Sequence, residues 1–132
     1  MNLGRISLSL SALAFGAFGL AFLSSPTTMA GRVDITLPTP TVVIDFQAIY
    51  EGLEVGLAVF FAYRAAVNRW LHPALLVQAL SLGGSALGRL VGILQAGSAQ
   101  PLIYWLLLAE LSGSALGVFT LKREAASKDG NL

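Results

Sequence analysis

Residues 46–66 read Phe46-Gln47-Ala48-Ile49-Tyr50-Glu51-Gly52-Leu53-Glu54-Val55-Gly56-Leu57-Ala58-Val59-Phe60-Phe61-Ala62-Tyr63-Arg64-Ala65-Ala66. The run is apolar enough to cross a bilayer, yet it carries two glutamates near its start. A helix rises about 1.5 Å per residue and the hydrocarbon layer is about 30 Å thick, so roughly 17–25 apolar residues make one crossing. This stretch meets that length, and three others accompany it: Ile6–Leu23 without a charge, 74–94 after Pro73, and 101–121. The expectation is an all-α, integral membrane four-helix bundle forming one domain. An outer loop covers 24–45 and a polar tail covers 122–132.

Composition agrees with a membrane class. Of 132 residues, 55% are apolar and 11% charged, against about 25% charged in ordinary soluble domains. Net charge is +1, so no basic face for nucleic acid is expected. There is no cysteine and a single histidine, His72. Disulfides, thiolate chemistry and His-rich metal sites are excluded, and no cofactor is expected. The first apolar block has a rival reading as a signal peptide, with Thr28-Met29-Ala30 loosely like a cleavage site; at eighteen residues it exceeds the usual h-region of about 7–15.

Basic residues orient the spans. Arg5, Arg64, Arg69, Lys122, Arg123 and Lys128 fall on one side, with His72, and only Arg32 on the other. Positive charge concentrates on cytoplasmic loops, which gives N-in and C-in, in a bacterial inner membrane. Tight turns at 66–73 and 95–100 make spans two, three and four expected antiparallel neighbours. The long loop holds Pro26, Pro38 and Pro40. Its alternating Arg32–Leu37 segment is expected to lie extended over the outer mouth, and Asp45 is a candidate cap for span two.

Each span carries a stripe of small or polar residues at helical spacing. These are Ser9, Ala12, Gly16 and Gly19 on span one, and Gln47, Glu51, Glu54, Ala58, Ala62 and Ala65 on span two. Span three has Gln78, Ser81, Ser85, Arg89 and Gly92; span four has Leu106, Glu110, Gly113 and Gly117. Lipid gives helices no hydrophobic reason to associate, so small residues and polar bonds must bring them together. Gly16, Gly52/Gly56, Gly84/Gly88/Gly92 and Gly113/Gly117 are the candidate packing positions.

Glu51, Glu54, Arg89 and Glu110 all fall in the outer half by depth along their helices. A lone charge facing lipid costs at least about 2.5–3.5 kcal/mol, so Arg89 is expected to pair with one or more of the acids. Three acids against one base leave an excess; at least one glutamate is expected to hold a proton, with Glu110, the deepest, as candidate. Gln47, Tyr50 and Tyr104 complete the candidate site near the outer boundary. Three readings remain: a structural lock, a site for a lipid-soluble ligand such as a quinone, lipid or isoprenoid, and acid–base or proton chemistry.

The stretch Asp45–Gly56 also resembles the signature of the DUF4345 family, small bacterial membrane proteins of unknown function. Members look like four-span proteins with Asp-Phe-Arg-Ala-x-Tyr-Gly-Gly-Leu-x-x-Gly opening span two. Gly88-Arg89-Leu90-Val91-Gly92 and Glu110 resemble further family elements, and the likeness covers about residues 5–121. Here Gln47 and Glu51 stand where the pattern commonly has Arg and Gly, which weakens any anion-binding reading at that point. A looser likeness to DoxX-like proteins and the sterol-isomerase fold is analogy at fold level only. The resemblance implies no activity. The function expected is a non-enzymatic accessory, assembly or scaffold component in the lipid bilayer, with a membrane-protein partner or a second copy of itself; ligand binding is the alternative.

Overall fold

The computed structural model describes residues 3–67 and 70–129, with side chains through 126. Arg69 and the side chain of Lys128, both in the basic count above, lie outside the described residues. Helix α1 spans Leu3–Ser24, α2 Pro26–Gly31 and α3 Pro40–Phe46. A π-helical segment, Gln47–Gly52, runs directly into α4, Leu53–Val67; then come α5, Leu71–Ala96, and α6, Pro101–Asp129.

The helices form two antiparallel pairs. α1 packs along the π segment and α4, and α5 packs along α6; the pairs meet over a smaller area, mostly through α1. The pairing of α5 with α6 follows from their short connection. α4 and α5 are also close in sequence, but they touch little, because α4 turns its close-packing face to α1.

Close backbone approach explains both pairs. A Cβ on Gly19 would stand 2.8 Å from Val55 Cγ2, 3.1 Å from Val55 N and 3.2 Å from the Glu51 carbonyl oxygen. A Cβ on Gly117 would meet Ala79 Cβ at 3.2 Å, with Ala79 N and the Leu75 carbonyl at 3.4 Å. Glycine therefore sits where α1 crosses α4 and where α6 crosses α5. Between the pairs, Leu8, Phe61, Ala65, Ala74 and Leu75 form a buried cluster that also receives Leu121. The start of α1, the end of α4, the start of α5 and the later part of α6 thus share one end of the bundle. At the other end Phe22 stacks with Phe46 and Tyr50, beside Ala30.

Two positions carry positive φ on non-glycine residues. Trp70, which precedes α5, has φ 61° and ψ 38°, a left-handed conformation costing an L-residue about 1–2 kcal/mol. Asp34 has φ 58° and belongs to a residue type that tolerates it better.

The four-span expectation is corrected. Three helices, not four, are long and apolar enough to cross a membrane among the described residues: Leu3–Ser24, Leu71–Ala96 and Pro101–Ala126. The stretch from Phe46 to Ala66 is not one α-helix. It passes through the π segment, where the N–H of Leu53 bonds to the carbonyl of Ala48, five residues back in place of four. The α-helix that follows has 15 residues and rises about 22 Å, short of the roughly 30 Å layer. An N-in/C-in four-helix bundle therefore does not describe this chain, since the even span count behind it is gone.

Smaller differences share the same local logic. Asp45 lies within α3, and that helix is capped by Thr39, whose hydroxyl accepts from Val42 N at 3.3 Å. The long loop contains α2 and α3. Its segment 35–38 lacks regular structure, but Ile35 and Leu37 pack onto the Phe22–Ala30–Phe46 cluster. The polar tail continues α6 through Asp129.

Gly19→Ala should destabilise the protein by about 1–3 kcal/mol, because the new methyl overpacks a backbone contact. Gly84 has nothing within 4 Å of an added Cβ, so Gly84→Ala should stay within about 0.5 kcal/mol of the parent. Unfolding in detergent micelles measures both; equal effects would refute the close crossing of α1 and α4.

Candidate functional site

Arg89 on α5 and Glu110 on α6 form an ion pair. Antiparallel pairing places them at one level, Arg89 six residues after Gly83 and Glu110 four residues before Ser114, where Gly83 and Ser114 meet. Arg89 Nε donates to both carboxylate oxygens of Glu110 at 2.9 Å. This is a three-centre bond from one N–H, not the fork-to-fork geometry that arginine can offer. The two side chains are 29% and 12% exposed, so the pair is partly buried. Its terminal amino groups make no hydrogen bond to the described residues.

Glu54, half-buried on the first turn of α4, is close enough to interact electrostatically with both Arg89 and Glu110. Its Oε2 is buried without a hydrogen bond. Glu51 is different. It is fully buried, and neither of its carboxylate oxygens has a hydrogen-bond partner. An isolated buried carboxylate is strongly disfavoured, so the neutral acid is the form this position accommodates. Glu110, the sequence-based candidate, is the acid that contacts Arg89, whereas Glu51 contacts no cation.

The remaining candidate residues fall into two groups. Tyr50 stacks on Phe46 at 4.4 Å and on Phe22 at 6.3 Å, which anchors the π segment to α1. Tyr104 is exposed near the start of α6. Among the glycines, Gly16 touches Ala58 Cβ at 3.6 Å, and Gly113 and Gly117 face α5. Gly52 meets only the carbonyl of Gln47, within its own π segment. Gly56, Gly84, Gly88 and Gly92 have nothing within 4 Å, so these four are not packing positions within the chain.

A second polar knot stands deeper toward the other end. Gln78 is fully buried; its Nε2 donates to Ser7 Oγ at 2.9 Å and to the Gly113 carbonyl at 3.2 Å, while Ser7 Oγ lies 3.1 Å from Gln78 Oε1. One side chain thereby ties α1, α5 and α6 together. Ser114 Oγ donates to the Ala79 carbonyl at 2.9 Å. Gln78 stood on the predicted stripe of span three, but its uncharged amide gave it no prominence beside the ionisable groups. No group of acids or histidines suited to a metal ion occurs among the described residues.

Two substitutions separate these roles. Gln78→Ala should cost about 1–3 kcal/mol by leaving buried groups without partners. Glu51→Gln, which keeps shape without ionisation, should leave stability unchanged or raise it. Chemical unfolding of the reconstituted chain reads both, and a large loss on Glu51→Gln would mean that Glu51 is ionised and paired.

Comparison with known proteins adds the following. A family model described as Domain of unknown function (DUF4345) matches residues 3–121. No curated protein and no solved structure matches the chain. Its apolar, membrane-length helices make it a multi-pass bacterial membrane protein, and the extent of the match shows that the chain belongs to the DUF4345 family.

Proposed function

We propose that this protein is a non-enzymatic membrane component that assembles with another membrane helix, and that its Arg89–Glu110 pair is a structural lock. The observation that carries this is the uncovered outer face of the α5–α6 pair. Polar bonds from Arg89, Gln78 and Ser114 are directed inward, to Glu110, Ser7, Gly113 and Ala79. Gly84, Gly88 and Gly92 meanwhile line up on α5 at four-residue spacing with open space before them. In lipid that spacing favours close approach by another helix. An ion pair that binds α5 to α6 keeps this face rigid.

Glu51 favours a second reading. A buried neutral acid with no partner is a hydrogen-bond donor, and with Glu54 and the terminal amino groups of Arg89 it supports binding of a lipid-soluble molecule bearing an acceptor.

A photo-crosslinking residue placed at Gly88 of the full chain in its native membrane is expected to give one discrete protein adduct. The same residue at the exposed Phe119 of α6 should label lipid. Lipid labelling at both positions would refute the assembly reading. Glu110→Gln is expected to lower stability by about 1.5–3 kcal/mol, the range for a hydrogen bond to a charged group, and Arg89→Gln in the same chain should recover part of that loss.

A further inference from the structure

We propose that the corner between α4 and α5 binds the phosphate of an anionic phospholipid headgroup, with Arg64 as its anchor. The guanidinium of Arg64 lies 5.6 Å from the ring centre of Phe60, 5.2 Å from that of Tyr63 and 5.7 Å from that of Trp70. Aromatic faces attract the cation and limit its motion without satisfying its N–H groups. Among the described residues no carboxylate is paired with Arg64. A planar cation held by its faces and free at its edge matches phosphate oxygens, for which the guanidinium fork is suited.

The surroundings select a lipid over a soluble anion. Tyr63, Arg64, Val67 and Trp70 line an open depression of about 300 Å³. Phe60, Tyr63, Arg64 and Val67 share one face of α4 at helical spacing, so an apolar wall leads away from the cation along the helix. A free phosphate gains nothing from that wall, whereas an acyl chain does. Trp70 is 63% exposed although it contacts Arg64, and indoles of this kind prefer the headgroup level. Its left-handed backbone turns the chain into α5 while the ring stays beside Arg64.

Charge adds an independent argument. Leu121 packs on the cluster of Leu8, Phe61 and Ala65, which brings Lys122 and Arg123 to the same end of the bundle as Arg5 and Arg64. The opposite end holds Arg32 with Asp34 and Asp45. The corner therefore faces the headgroup layer from the basic end, where anionic lipid is attracted.

The test uses the full chain in nanodiscs of phosphatidylcholine with and without added phosphatidylglycerol, with retained lipid counted by native mass spectrometry. The parent is expected to retain phosphatidylglycerol selectively, and Arg64→Gln should lower that selectivity about fivefold, the effect of one basic group at the surface. Arg64→Lys keeps the charge and loses the fork, and should fall between the two; full selectivity in Arg64→Lys would overturn the proposal. Arg123→Gln, elsewhere at the basic end, should lose clearly less selectivity than Arg64→Gln. The proposal fails if Arg64→Gln retains the lipid as the parent does, or if Arg123→Gln loses it equally. It fails also if millimolar inorganic phosphate displaces the phosphatidylglycerol, since the site would then serve a soluble anion.

Discussion

Helices already dissolved in lipid gain no hydrophobic free energy by touching one another, so a membrane fold rests on how closely backbones can approach and on which polar groups they share. In this protein the approach occurs at Gly19 against Val55 and Glu51, and at Gly117 against Ala79 and Leu75. The shared polar groups are Gln78 with Ser7 and the Gly113 carbonyl, and Arg89 with Glu110. Two helix pairs result, each close within itself. The amide knot joins them near the basic end, and the ion pair stiffens α5 against α6 farther along. The aromatic stack of Phe22, Phe46 and Tyr50 fastens the far end of α1 to the π segment.

Much of this could be read in advance because a membrane span is a long-range property of composition. Ile6–Leu23, 74–94 and 101–121 lie within α1, α5 and α6, and no short-range detail could conceal runs of that length. The stretch from Phe46 failed for the opposite reason. A π segment depends on which carbonyl each N–H chooses, and the residues of Gln47–Gly52 carry no mark of it. The packing glycines divide similarly. Gly117 and Gly84 look alike in sequence, but one meets Ala79 and the other meets nothing. Which face of a helix is covered depends on its neighbours, and single-helix periodicity holds no information about them.

The ionisable groups show the same limit. Depth along each helix correctly brought Arg89 and Glu110 to one level, and brought Glu54 close to both. Depth could not assign Glu51, which is fully buried yet lacks a hydrogen bond. An angle around the axis is needed for that, and the 3.6-residue period supplies it only for an uninterrupted α-helix. The Arg64 corner is not legible in the sequence because its parts look ordinary one by one: an arginine near the end of a helix and three aromatic residues.

The π segment has one further consequence. An extra residue in a helical turn rotates everything after it by about 100° relative to everything before it. The residues of α3 and those of α4 therefore cannot be drawn on a common helical wheel; Glu51 lies within that discontinuity and Glu54 just beyond it. The insertion behaves like a change of gear in the middle of one continuous helical path. Removing a single residue between Gln47 and Gly52 would leave both helices formed, while reassigning which side chains of α4 look toward α1 and which look toward Arg89.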